Sequence, residues 1–246
     1  MTESDKNWDK VFAKSGMVDV SKVRFKNRYG IELTGDLYLP KGKASEKLAA
    51  IAVSGPFGAV KEQASGLYAQ TMAERGFAAL AFDPSYTGES GGEPRLVASP
   101  DINTEDFSAA VDFLSNQPNI DAERIGIIGI CGFGGFALNA AAIDTRIKAT
   151  LTSTMYDMSR VNAKGYFDAM GEEERYALKQ KLNAQRSVDF KNGTYAADGG
   201  RAAVCERLLG LLQNAARLSQ ALQKFQYGLE HDFGAVVYEY ADFDLQ

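Results

Sequence analysis

The residues best suited to chemistry lie in the run Gly129-Ile130-Cys131-Gly132-Phe133-Gly134-Gly135. The run separates a β-branched apolar stretch, Arg124 to Ile130, from a small-residue stretch, Phe136 to Ala142. That is the setting of a strand that turns sharply into a helix, a nucleophile elbow. Such a turn holds its central side chain up at the end of a sheet. Its neighbours must be small, because two backbone segments crowd there. The amino end of the following helix favours a thiolate, so Cys131 is the candidate nucleophile. The N–H of Gly132, one residue on, faces a developing oxyanion. A second donor comes from the turn after the third strand, Ser54-Gly55-Pro56-Phe57-Gly58, where Phe57 N–H is the candidate. Read blandly, Cys131 is a small buried hydrophobe under a glycine turn. The plain five-residue pattern expects glycine where Phe133 stands. Sliding the register puts Gly132 or Phe133 in the central slot, and neither can attack.

The same glycines admit another reading. Gly132-x-Gly134-x-x-Ala137 matches a dinucleotide fingerprint, G-x-G-x-x-A. That fingerprint normally opens a domain, whereas here four strands precede it. The following strand ends Leu151-Thr152-Ser153-Thr154, without an acid to hold a ribose. The single histidine and two cysteines argue against a zinc site built by the chain. We therefore expect no metal and no cofactor.

The elements that must position the elbow follow from the apolar pattern. Val18 to Lys26 and Ile31 to Leu39 read as a hairpin about Asn27-Arg28-Tyr29-Gly30, after a loose, partly helical lead-in over residues 1–16. Ala49 to Val53, Ala78 to Phe82, Arg124 to Ile130 and Ile147 to Ser153 are continuous apolar strands, buried on both faces. Helices alternate with them: Ala64 to Arg75, stopped by Gly76; Thr104, as a cap, to about Asn116; and Phe136 to Ala142. This alternation predicts a three-layer α/β/α sandwich on a mostly parallel sheet, with ligands at the carboxyl ends of the strands. Met158 to Asn192 is polar and helix-prone. Ala202 to Leu229 spaces its leucines like an amphipathic helix, so residues 201–246 read as an atypical helical tail on a core of residues 1–200.

Composition narrows the classes. The chain has 246 residues, 45% hydrophobic and 24% charged, with net charge −5, an ordinary globular balance. No basic run suits nucleic acid, and no apolar stretch suits a membrane span. The polar amino terminus lacks a signal-peptide order. A cytoplasmic protein acting on a small-molecule substrate is the expectation, and oligomeric state is left open.

Beyond the elbow, four stretches carry a resemblance. They are Ser54 to Gln63 (SGPFGAVKEQ), Asp83 to Gly92 (DPSYTGESGG), Gly129-Ile130-Cys131-Gly132 and Met155-Tyr156-Asp157-Met158. Over residues 18 to about 200 the chain resembles a bacterial α/β-hydrolase family related to dienelactone hydrolases. The resemblance implies the α/β-hydrolase fold and hydrolysis of esters, lactones or similar carbonyl substrates. It also implies a cysteine nucleophile, since dienelactone hydrolases carry one at the elbow.

The chain departs from that pattern near Gly200. The fold normally adds two more parallel strands, bearing an acid and then a histidine. Those C-terminal strands are expected to be missing, with Val236-Val237-Tyr238 the nearest candidate. Truncation of this kind would leave an apolar sheet edge exposed. His231, Asp157 and Asp242 read as surface groups rather than triad partners. Three functions therefore compete: a hydrolase impaired by an incomplete triad, an active thiol hydrolase with a rebuilt base, and a binding module without chemistry.

The genetic code suggests a cause. Possible codons for Leu208 to Gln213, read one base later, permit Y-W-D-Y-Y-K. The same shift next permits T-P-R-G-Y-H, and over Tyr238 to Phe243 it permits M-N-M-P-I-L. These strings resemble the family's continuation, so the tail from about Arg201 reads as a frameshift product. Sequencing the gene tests this: codons 206–245 read one base later should encode those strings, and any other reading ends the idea.

Overall fold

Period-two alternation and unbroken apolar runs divide the strands into two groups, and the sheet is assembled accordingly. The computed structural model describes residues 8–43, 46–196 and 235–239. The alternating strands β1 (Val18–Lys26) and β2 (Glu32–Pro40) pair antiparallel, from Val18 opposite Pro40 to Lys26 opposite Glu32. Their turn is the expected one. Gly30 takes φ +79, and Asn27 Oδ1 accepts from the N–H groups of Tyr29 and Ile31 at 3.0 Å each. β2 lies antiparallel to β4 (Ala78–Phe82), while β4, β3 (Leu48–Ser54), β5 (Ile120–Ile130) and β6 (Ile147–Ser153) run parallel. The seven strands lie in the order β1-β2-β4-β3-β5-β6-β7, with β7 (Ala235–Glu239) parallel to β6.

Because successive side chains leave a strand on opposite faces, the apolar runs supply two cores. Ile51, Val53, Ala79, Ala81, Ile128 and Ile130 pack with Tyr68 and Met72 of α1 (Ala64–Glu74). Their neighbours Ala50, Ala52, Leu80, Phe82, Ile125 and Ile127 pack on the other face. There they meet Phe107, Val111 and Leu114 of α2 (Pro100–Ser115) and Phe136, Ala137 and Ala140 of α3 (Phe133–Ile143). Each large side chain removed from water here contributes about 1.5–3 kcal/mol. The result is the expected three-layer α/β/α sandwich.

The structure corrects several boundaries. α2 starts at Pro100, not after Thr104. Ser99 is its cap, accepting from Ile102 N–H at 3.5 Å, and proline occupies the first turn, where its missing N–H costs nothing. Residues 8–16 contain no helix. The polar stretch from Met158 forms two helices, α4 (Met158–Lys164) and α5 (Glu172–Asn192), neither with a buried residue. They are parted at Gly165, whose φ of +73 ends α4. The Val236-Val237-Tyr238 candidate forms a strand, β7, which pairs in parallel with β6; the expectation of missing C-terminal strands otherwise falls on residues outside the described ones. The remainder of 201–246, including the predicted helix, lies outside the described residues.

One buried carboxylate ties the hairpin to the sheet. Asp106 of α2 accepts from the Asn27 amide at 2.8 Å and the Ser85 hydroxyl at 2.7 Å. Its other oxygen accepts from Ser85 N–H at 2.8 Å and the Asn103 amide at 3.2 Å. Burial pushes this carboxyl up, and the donors from Asn27, Ser85 and Asn103 pull against that. Asp106→Ala strands buried donors, so a loss of about 1–3 kcal/mol is expected. Urea denaturation measures it, and an unchanged midpoint would contradict the network's role.

Candidate active site

β5 ends at Ile130 and α3 begins at Phe133, so only Cys131 and Gly132 span the turn between them. Cys131 has φ +59, a backbone region that non-glycine residues occupy mainly where the surroundings force it. Two hydrogen bonds do the forcing. Cys131 N–H donates to the Ser153 carbonyl at 2.8 Å, and Gly134 N–H donates to the Cys131 carbonyl at 3.0 Å. The glycine before the turn is a packing requirement. A Cβ on Gly129 would stand 2.5 Å from the Phe133 carbonyl oxygen and 2.7 Å from Ala137 Cβ.

The turn after β3 presses on the elbow from the other side. Gly55 has φ +99, and a Cβ there would collide with the Ile130 carbonyl and lie 2.9 Å from Phe133 Cβ. This explains how phenylalanine stands where the plain motif expects glycine: Gly55 yields the space. The Phe133 ring then lies 6.2 Å from that of Phe57 and 5.2 Å from that of Phe136. Phe57 and Gly132 are brought together, since a Cβ on Gly132 would stand 3.6 Å from Phe57 Cβ. Gly132 and Gly134, the alternative start of a dinucleotide fingerprint, are instead crowded by methionines. A Cβ on Gly132 would approach Met158 Sδ to 2.8 Å, and one on Gly134 would approach Met155 Cγ to 2.7 Å.

Cys131 itself is 2% exposed. Behind it the Tyr68 and Ser153 hydroxyls share a hydrogen bond of 2.9 Å. Asp157 is exposed and caps α4, accepting from Arg160 N–H at 2.9 Å. His231, the chain's single histidine, and Asp242 lie outside the described residues. Among the described residues no group of three or more histidine, cysteine, aspartate or glutamate side chains could hold a metal ion.

Sequence reasoning missed the charged group in the loop between β3 and α1. The Lys61 side chain is fully buried and meets Asp83 at 3.1 Å, Glu89 at 2.6 Å and Glu62 at 2.5 Å. Lys22 also pairs with Glu89, at 2.6 Å. Burial pulls the Lys61 ammonium down, but Glu62, Glu89 and Asp83 outweigh it and hold the pKa above the ordinary lysine value. Burial pushes the Asp83 carboxyl up, against the N–H of Glu89 and the charge and N–H of Lys61. The legible signal was Asp83 at the carboxyl end of a buried strand. Nothing in the sequence marks Lys61 as buried.

A seven-stranded sheet in this order, with a strained cysteine between the fifth strand and its helix, defines an α/β-hydrolase. The family follows from the sequence match: residues 29–225 fit the model of the X-Pro dipeptidyl-peptidase (S15) family, to which the chain belongs. The uncharacterised protein PA2218 of Pseudomonas aeruginosa is 65% identical over 189 residues, which is 77% of this chain and 51% of the relative. Its crystal structure superposes with a TM-score of 0.78 and 44% identity, covering 97% of this chain and 89% of that one. The thiohydrolase aneE of Aspergillus aculeatus is 38% identical over 132 residues, 54% of this chain and 40% of the relative. The α/β hydrolase GrgF from Penicillium sp. sh18 superposes with a TM-score of 0.60 and 25% identity, over 86% of this chain and 68% of that one. The chain spans about half the length of the curated relatives it matches.

Lys22 and Lys61 hold the Glu89 carboxyl down at about 2. A carboxyl depressed on folding stabilises above its unfolded pKa, and that stability is lost as pH falls through the folded value. Glu89 is half-exposed, so solvent reduces the effect. Urea midpoints of the wild type minus those of Glu89→Gln should therefore fall between pH about 4.5 and about 2. A difference flat across that window would refute the linkage.

Proposed function

We propose that Cys131 is the nucleophile of an acyl hydrolase acting on a small ester, lactone or thioester. The observation that carries this is the strained Cys131 backbone, pinned to Ser153 with Phe57 and Gly132 beside it. The thiolate attacks the carbonyl carbon. An S–C bond forms, and the carbonyl electron pair moves to oxygen, where the Gly132 and Phe57 N–H groups receive it. Collapse breaks the bond to the leaving alcohol or thiol and leaves a thioester on Cys131, which water then cleaves. The similarity to a thiohydrolase and to α/β hydrolases supports this class of chemistry. The dienelactone-hydrolase-like motifs favour compact carbonyl substrates, and a cytoplasmic setting suits a reactive thiol.

The steps after attack are where this chain is impaired. The chain's single histidine, His231, lies outside the described residues, and thiol catalysis needs a base to turn over. We read the sequence from about Arg201 as a shifted frame, which would account for the missing partners. Acylation with slow release is the consequence.

Mixing with p-nitrophenyl acetate should release about one equivalent of p-nitrophenolate in a burst, with little turnover after it. Mass spectrometry should place the acetyl group on Cys131, and Cys131→Ala should abolish the burst. A folded protein that gives no burst overturns the proposal. A rise in melting temperature with ester analogues, without acylation, would point to a binding module instead.

A further inference from the structure

We propose that Lys61 and Asp83 are positioning residues for the oxyanion site, acting through the loop that carries Phe57. This rests on the reading of Cys131 as an acyl nucleophile.

Asp83 stands at the carboxyl end of β4 and reaches two loops at once. Its Oδ1 accepts from Lys61 N–H at 2.7 Å, and its Oδ2 accepts from Glu89 N–H at 2.9 Å and from Lys61 Nζ at 3.1 Å. Gly88 lets the second loop wrap it, because a Cβ there would collide with the Asp83 carboxylate. Lys61 lies in the same turn as Phe57. The residues between them are drawn tight by Ala59 N–H donating to the Pro56 carbonyl at 3.0 Å. α1 closes on Lys61 from behind, since a Cβ on Gly66 would collide with the Lys61 carbonyl. Phe57 is thus held between two fixed points. One is Gly55, pressed on the Ile130 carbonyl, and the other is Lys61, locked to Asp83.

A fully buried lysine shared among three carboxylates is a costly way to gain stability, because desolvation offsets most of the attraction. It is an effective way to define position, because a buried charge tolerates little displacement from its partners. An oxyanion donor needs that definition, since errors of about 1 Å in a reacting group cost on the order of 100-fold in rate.

Two reactions of Cys131 in the full chain separate positioning from bulk structure. Acetylation by p-nitrophenyl acetate builds charge on the carbonyl oxygen as the S–C bond forms and p-nitrophenolate leaves. Alkylation by iodoacetamide forms an S–C bond and expels iodide, with no oxyanion. In alkaline buffer both start from the thiolate, its proton having passed to the buffer. Lys61→Met should slow acetylation about 10–100-fold and leave alkylation within about twofold. Should that variant fail to fold, Glu89→Gln withdraws one partner of Lys61 while keeping the backbone bond to Asp83, and the same ratio should drop several-fold. In a Phe57→Pro background, which lacks the donor N–H, the Lys61 substitution should add nothing. An unchanged ratio in every folded variant, equal slowing of both reactions, or losses that simply add would each overturn the inference. A wild type that alkylates at Cys131 but never acetylates there would instead bring down the nucleophile reading, and this inference with it.

Discussion

The close approach of two loops at the carboxyl end of the sheet is the constraint on which the site depends. Gly55 and Gly129 lack the Cβ atoms that would hold β3's turn, β5 and α3 apart. Once those segments meet, the backbone at Cys131 has nowhere to go but φ +59. The Cys131 N–H then ties the turn to β6 at the Ser153 carbonyl, and the Cys131 carbonyl ties it to α3 by accepting from Gly134 N–H. Strain at such a residue is maintained by the rest of the fold. The apolar packing on both faces of β3, β4 and β5 supplies the free energy that maintains it.

Charge is used in a second, separate way. The core of a sandwich this size gives little reason to bury a lysine, yet Lys61 is buried against Asp83, Glu62 and Glu89. The group links the loops after β3 and β4, which both end at the face where the elbow sits. Asp106 repeats the device with neutral donors, linking the β1–β2 turn to the β4–α2 loop. Both carboxylates thus fix loops by directed hydrogen bonds, at Lys61 and Glu89 in one case and at Ser85 and Asn27 in the other.

The edge of the sheet shows how far local expectation can mislead. Loss of the last strands should leave β6 with an open edge, a template for aggregation. β7 takes that position in parallel register, Ala149 facing Ala235 and Ser153 facing Glu239. The five residues of β7, which include the Val236-Val237-Tyr238 strand candidate, thus occupy that edge. Strand pairing accepts any short β-prone run delivered to an open edge, and Ala235-Val236-Val237-Tyr238 is such a run.

Local periodicity determined much of this protein. The unbroken runs at 49–53, 78–82 and 124–130 announce strands buried on both faces, and the strand–turn–helix setting of Cys131 announces an elbow. Those features depend on neighbours in the chain, so they are legible from it. The helix start at Ser99 was missed because the cap is a local competition that proline settled in its favour. Only tertiary structure decided the rest. It decided that Phe133 fits because Gly55, far away in sequence, has no side chain. It decided that Phe57 and Gly132 meet, and that Lys61 is buried rather than solvated. Each of these is a contact between segments whose separation along the chain says nothing about their distance in space. The sequence alone therefore named the turn and its cysteine, and packing decided what surrounds them.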